Sequence, residues 1–470
     1  MTVRSRFARH LLTTTLAMGV LFAGAMESAS AQTLQDALAQ AYASNPALGA
    51  QRARQRAVDE SVPQALSGYR PTVRATANLG RNITNQDVYS RSANASQTIG
   101  TQVNPKSVGL SATQPLYDAT VGPAVRRAER TVEAQRANTL ATEQQTLLTA
   151  ATAYLDVVQN QALLQLQANN EQVLRRQLDA ARDRFRVGEY TRTDVSQSES
   201  RLAASIASRI TAEGTLQASR AAYERVVGSM PGNNLKAPKP NFKLPATLDE
   251  VVEMARSNNP SVLAASYTEQ AQREAVDQQF GRLLPSAALS AQAQRSWDSA
   301  TSSGIDTRRA DSAQLTAQVT IPLYQAGLPE ALTREAKHTA NQARLQIEDA
   351  RAQSVQSAIS AWQGLQAARA SIASFNSQIR AAEIALEGVR QEAQVGSRTV
   401  LDVLNQEQEL LNARVNLVQA QRNEMVQAFT VLGAIGQLTA RQLSLPVQYY
   451  NPDTHYQQVR NKWAGTGIPE

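Results

Sequence analysis

Two acidic side chains occupy the same place in a nine-residue pattern that occurs twice. Val187-Gly188-Glu189-Tyr190-Thr191-Arg192-Thr193-Asp194-Val195 and Val395-Gly396-Ser397-Arg398-Thr399-Val400-Leu401-Asp402-Val403 both read Val-Gly-x-x-Thr-x-x-Asp-Val. Thr with an acid three residues later resembles a capping box, whose side chains satisfy the orphan amides of a starting helix. The helix dipole favours an acid there too. Gly ahead of it suits the left-handed residue that closes a preceding helix. Each pattern therefore predicts a helix-turn-helix tip, with Asp194 or Asp402 at the start of its second helix.

Other chemistry is sparse. The chain has no Cys, so disulfides, thiolate metal sites, a Cys nucleophile and a lipidated N-terminal Cys are excluded. His10, His338 and His455 lack metal-ligand spacing, and no Gly-rich loop of the Walker type is present to cradle ATP. Adjacent acids such as Glu348 and Asp349 diverge on a helix rather than converge as an acid–base pair. The expectation is no enzyme, no metal and no cofactor.

The elements that carry the tips are long. After Pro123 no helix breaker occurs until Gly188, which at ~1.5 Å per residue gives a helix on the order of 95 Å. A second such stretch runs from Pro329 to Val395, interrupted weakly by Gly364 and Gly388. Heptad spacing is visible in Leu365, Ile372, Ile379, Leu386 and Ala393, with Ala368, Phe375, Ala382 and Val389 at the partner position. Leu404, Leu411, Val418, Met425 and Leu432 continue it after the second tip; Val195, Leu202, Arg209, Leu216 and Tyr223 do so after the first. These are coiled-coil seams. Aromatics at only 5% fit narrow seams better than one thick core.

Arg4, Arg6 and Arg9, an apolar run from Leu11 to Ala25 and Ala29-Ser30-Ala31 read as a secretory signal peptide over 1–31. Its removal takes three arginines and one glutamate from a net charge of +7, leaving +5. Arginines dispersed among acids along helices read as solvated faces, and nucleic acid is excluded as a partner.

The mature chain repeats itself. Thr33-Leu34, Asn45-Pro46 and Pro71 match Thr247-Leu248, Asn259-Pro260 and Pro285; Pro115-Leu116-Tyr117 matches Pro322-Leu323-Tyr324, and Gly228 matches Gly436. The first repeat is assigned to 32–228, with a hairpin at 72–117 and a tip at 187–194. A linker at 229–246 follows. The second repeat is assigned to 247–445, with a hairpin at 286–324 and a tip at 395–402, and a tail covers 446–470. Each repeat opens with a short helix ending at Asn-Pro, then a helix from Ala47 to about Gly68 or Ser261 to about Leu283, ended by proline. Beyond it the period becomes two: Val73, Ala75, Ala77 and Leu79 alternate with polar residues, as do Leu315, Ala317, Val319, Ile321 and Leu323. Val108, Leu110 and Ala112, and Leu289, Ala291 and Ala293, supply the partner strands, across polar loops at Asn82–Lys106 and Ser296–Ser312. A soluble hairpin with one wet face would alternate too. Export and strand length favour a transmembrane barrel.

Four strands cannot close a barrel, and open edges have no partner in lipid, so the barrel reading requires an oligomer. Three copies give about twelve strands, within the known range. The tips, Pro-Leu-Tyr strand ends and Asn-Pro breaks resemble the TolC family of outer-membrane efflux proteins over essentially the whole mature chain. The stretch from Gly436-Gln437-Leu438-Thr439 through Pro446-Val447 to Trp463 resembles its type I secretion branch. The resemblance implies a mainly α fold with a β-barrel part: a homotrimer with a twelve-stranded barrel in outer-membrane lipid of a Gram-negative cell. An α-helical tunnel in the periplasm continues it.

It also implies a periplasmic adaptor (membrane fusion protein) and an inner-membrane ABC transporter as partners, for type I protein export. A proton-driven pump of the resistance-nodulation-division class is the alternative, and a soluble coiled-coil scaffold or adaptor is the competing class. Asp402 matches an aspartate of the family's periplasmic aperture, where three carboxylates would hold cations and raise one another's pKa. Capping alone accounts for Asp402 and Asp194 equally well. Asn405 stands where the family's second ring aspartate does, predicting a less acidic aperture. Arg398 and Asp194 match residues that hold the closed tip, while Ala393 replaces the tyrosine partner. Val187, Gly188, Glu189, Val395, Gly396 and Ser397 are the expected adaptor-docking residues.

Overall fold

The computed structural model describes residues 33–232, 235–238, 244–300 and 306–468. The expected signal peptide at 1–31 lies outside the described residues, as do parts of the linker.

The chain enters through α1 (Leu34–Ser44), capped by Thr33 and Asp36, and α2 (Pro46–Asp59), capped by Asn45. The helix expected to reach Gly68 breaks at Glu60 and resumes as α3 (Ser61–Leu66) before one 3-10 turn at Ser67–Tyr69. Pro63 explains the break, since it has no amide to give the carbonyl four residues earlier. Strands β1 (Thr72–Leu79), β2 (Asn82–Ser90), β3 (Ala95–Val103) and β4 (Lys106–Asp118) follow. Then come the long helix α4 (Val121–Arg186) and its return, α5 (Arg192–Val227).

The second half repeats this order: α6 (Leu248–Asn258), α7 (Pro260–Gly281), β5 (Ser286–Ala300), β6 (Asp306–Thr320), α8 (Leu328–Gln394) and α9 (Val400–Ala434). Helix α7 contains no interior proline and is continuous. The tail adds α10 (Pro452–Arg460). At 66 and 67 residues, α4 and α8 are each about 100 Å long. No described helix is long and apolar enough to cross a membrane.

The two expected hairpins join into one antiparallel sheet, order β1-β4-β5-β6, leaving β1 and β6 as open edges. The stretch expected to be a polar loop at Asn82–Lys106 is instead a two-stranded ribbon, Asn82 facing Val103 through Ser90 facing Ala95. Polarity misled there: a ribbon wet on both faces needs hydrogen bonds and β-branched residues, not an apolar face. The loop expected at Ser296–Ser312 is likewise mostly strand, with Trp297 opposite Arg309 and Ala300 opposite Asp306. Strand β6 stops at Thr320, ahead of Pro322, whereas Pro115 lies within β4 at a shift of register. Proline cannot donate to a ladder, so it sits at a strand's end or at an irregularity. Val73, Leu79, Leu315 and Val319 are exposed, an apolar surface that none of the described residues covers.

The long helices pack in the order α5-α4-α9-α8. The expected seam residues of α8 and α9 are buried or half-buried, as are those of α5, Arg209 included. Their common core forms a belt part-way along, where Leu147, Tyr154, Tyr223, Leu365, Phe429 and Ile435 are fully buried against α1, α6 and the start of the tail. Tyr154 lies 6.4 Å from Tyr223, ring to ring, and donates to the Lys236 carbonyl at 2.9 Å. Burial pushes its phenol up to about 12.

Candidate functional site

Both tips are built as their residue types require. At the first, Gly188 has φ +83 and Glu189 N–H donates to the Arg184 carbonyl at 2.9 Å, closing α4. At the second, Gly396 has φ +81 and Ser397 N–H donates to the Glu392 carbonyl at 3.0 Å, closing α8. A Cβ costs about 1–2 kcal/mol in this left-handed region, hence glycine. Thr191 and Thr399 then start α5 and α9. The Asp402 carboxylate accepts from Thr399 N–H at 3.0 Å and from its hydroxyl at 2.8 Å, while Asp402 N–H donates back to Oγ1 at 3.3 Å. Asp194 does the same for Thr191, at 2.9, 2.7 and 3.3 Å.

The hydrogen bonds from Thr399 and the neighbouring Arg398 charge hold the Asp402 carboxyl below the usual carboxylate range. Arg398 reaches Glu392 at 2.8 Å, across its own turn. Within one protomer Asp194 and Arg398 therefore serve separate tips. At the first tip Arg184 donates to the Tyr190 hydroxyl at 2.8 Å and stacks on its ring. Val187 and Val395 are exposed at 72% and 81%, so each tip presents an apolar residue to solvent. Among the described residues, no group of three His, Asp or Glu could hold a metal ion.

A cluster one turn beyond Asp402 was not anticipated from the sequence. Asn405 accepts from Arg201 of α5 at 2.8 Å, so the neutral second position is tied to the other coiled coil. Glu407 is only 6% exposed and accepts from Arg390 of α8 at 2.8 Å and from Gln177 of α4. Its second oxygen has no partner among the described residues. Through these two residues, α9 holds all three other helices just above the tips. The available signal was a glutamate at a seam position, three residues after Leu404, where an apolar residue is the norm.

Long paired helices, turned by capped tips and joined to an open four-stranded sheet, are a known architecture. The outer membrane efflux protein profile matches residues 37–229 and 251–437, most of both halves. The chain belongs to that family. Among relatives of this efflux protein, BepC of Brucella suis is an outer membrane efflux protein 36% identical over 97% of each chain. The alkaline protease secretion protein AprF of Pseudomonas aeruginosa is 23% identical, over 66% of this chain and 65% of its own. Among solved structures, the outer membrane protein VceC of Vibrio cholerae superposes with TM-score 0.71 at 20% identity, covering 86% and 96% of the two chains. This efflux protein is thus an outer-membrane channel of TolC type, with its strands in the outer membrane and its helices forming a periplasmic tunnel.

Proposed function

We propose that the chain forms a homotrimeric exit duct for a type I secretion system, docking through its tips onto a periplasmic adaptor of an inner-membrane ABC transporter. One observation carries the assembly. The sheet order β1-β4-β5-β6 and the helix order α5-α4-α9-α8 both run from first-half to second-half elements. Each protomer thus ends in β1 and α5 on one side and β6 and α8 on the other. Unlike edges of this kind join head to tail and close by rotation. Exposed Ala203, Ala207, Ile210 and Gly214 on α5, and Leu345, Ala352 and Ile359 on α8, supply small or apolar faces for that contact. Three copies make twelve strands, which leaves no edge in lipid.

In that ring Asp402 lines the aperture and Asn405 takes the second place, its amide engaged by Arg201. Arg398 and Asp194 hold the closed end across protomers. Val187, Gly188, Glu189, Val395, Gly396 and Ser397 form the docking surface. The tail's likeness to the secretion branch, and a relative named for protease secretion, support protein export. The second reading, small-molecule efflux with a proton-driven pump, is favoured by the name of BepC. Photo-cross-linking in cells from Glu189 and Ser397, with mass spectrometry of captured proteins, separates them. An ABC-transporter adaptor is the expected product. A proton-driven pump's adaptor would move the assignment to efflux, and capture of neither in cells expressing both would contradict docking.

A further inference from the structure

After the second half is complete, the tail crosses back onto the first, where its charged and stacking contacts beyond Tyr449 are made. Tyr450 N–H donates to the Tyr42 hydroxyl at 2.9 Å, and Arg52 lies over both rings, at 4.4 and 5.2 Å. Asp453 pairs with Arg136 of α4 at 2.7 Å, and Arg460 with Glu129 at 2.9 Å. His455 Nδ1 lies 3.1 Å from the fully buried Asp59, whose other oxygen accepts from Gln55 at 2.9 Å. Gln55 accepts in turn from Thr139 at 3.3 Å. The last contact is at the base of the sheet. Arg70 donates to the Lys462 carbonyl at 2.7 Å and stacks on Trp463 at 4.9 Å. Arg70 stands two residues ahead of β1, the open edge strand.

The duplication shows that these partners belong to the first half alone. Aligning Asn45-Pro46 with Asn259-Pro260 sets Arg52 against Ser266, Asp59 against Arg273 and Arg70 against Leu284. None of the three equivalents could make the same contact. Glu269 and Arg273, facing each other at 2.6 Å, instead pair within α7 itself. The strand that α7 leads into, β5, is central in the sheet and held on both sides by β4 and β6. Strand β1 is held on one side only. The tail is attached where the sheet lacks that second neighbour.

We propose that the C-terminal segment from Tyr450 to Trp463 is an assembly clamp. It fixes the chain ahead of β1, so that this edge strand is presented in one register to β6 of a second copy. Register matters because a slip of one residue sends every side chain to the wrong face of the sheet. The proposal rests on the head-to-tail assembly described above, and its test separates the two.

The chain contains no Cys, so introduced pairs report cleanly. Thr76→Cys in β1 is combined in turn with Cys at Ser312, Gln314, Thr316 or Gln318 of β6. Full-length protein is inserted into outer membranes, oxidised and scored for inter-protomer disulfides. In the otherwise native chain one β6 position should dominate. Adding Trp463→Ala or Arg70→Ala should lower that product on the order of tenfold, or spread it over neighbouring positions, as expected for losing a stacked cation with its hydrogen bond. Trp463→Tyr, which keeps a ring, should restore most of it. Circular dichroism and periplasmic protease resistance of the helical part report whether each variant has folded. An unchanged cross-link pattern and unchanged heat resistance of the trimer in folded Arg70→Ala and Trp463→Ala would overturn the clamp. Failure of every β1–β6 pair in the native background would overturn the head-to-tail assembly itself, and the clamp with it.

Discussion

Glu407 and Arg390 differ in how far each can escape its partner, and that difference predicts an unusual order of effects. Arg390 is 43% exposed, whereas Glu407 is 6% exposed and is also met by Gln177. In Glu407→Ala, Arg390 turns to water and Gln177 loses one bond, a cost of about 1–2 kcal/mol after hydration offsets the charge-assisted bond. In Arg390→Ala the carboxylate stays buried with a single amide, and one of its oxygens already lacks a partner among the described residues. Removing one member of a buried pair costs ~3–5 kcal/mol, and partial exposure of this pair lowers that to about 2–3. The double variant removes the stranded charge along with its partner. It should therefore cost about what Glu407→Ala does, less than Arg390→Ala alone, with a coupling of about 2–3 kcal/mol. Hydrogen exchange of amides around residues 400–410 reports this local opening. Conductance in planar bilayers reports whether the tips part, since about 1.4 kcal/mol is tenfold in an open-to-closed ratio. Equal effects of Arg390→Ala and the double variant, or no effect of either on exchange near the tips, would refute the reasoning.

Two glycines with left-handed backbone should respond very differently to alanine. At Gly396 an added Cβ meets nothing within 4 Å, so Gly396→Ala should cost only the backbone term, ~1–2 kcal/mol. At Gly436 the same Cβ would sit 2.3 Å from the Asn258 carbonyl oxygen, so Gly436→Ala should prevent accumulation of folded protein, as read on immunoblots of outer membranes. Glu143 accepts from Ala440 N–H at 2.8 Å, and burial raises its pKa above the ordinary carboxylate value. A raised pKa favours the neutral form in the folded state, so this stability is present below the ordinary range and lost as pH rises through the folded value. Glu143→Gln should thus melt above the native protein at neutral pH, with the gap closing under acid. Asp402→Ala should weaken block of the channel by a trivalent cation, and Asn405→Asp should strengthen it, both measured as residual bilayer current.

The tips were legible because every force that shapes them is local: a glycine, a threonine and an acid three residues later. The long helices were legible for the same reason, as uninterrupted heptads between Pro123 and Gly188 and between Pro329 and Val395. The β2–β3 ribbon was hidden because its residues face water on both sides and carry no burial pattern. The break in α2 needed Pro63 to be weighed against a helical run that was otherwise continuous. At the candidate site, sequence named Asp402, Asn405, Arg398 and Asp194 but not the side chains that reach α9 from other helices. Arg201, Gln177 and Arg390 reach α9 from three other helices, and how those helices pack is fixed by their superhelical path, not by spacing along one strand of sequence. His455 and Trp463 had no reading as isolated residues. Their meaning lies with Asp59 and Arg70, nearly four hundred residues away in the chain.

The central claim is that the tips form the closable end of a trimeric duct. Asp402→Cys places one thiol per protomer at the aperture of a chain with none of its own. Single-channel conductance is measured before and after a bulky thiol reagent is added from the tip side. The account predicts a large fall in conductance in Asp402→Cys and none in the native protein. Undiminished current, with mass spectrometry showing the introduced thiol fully labelled, would place Asp402 away from the conduction path and contradict it.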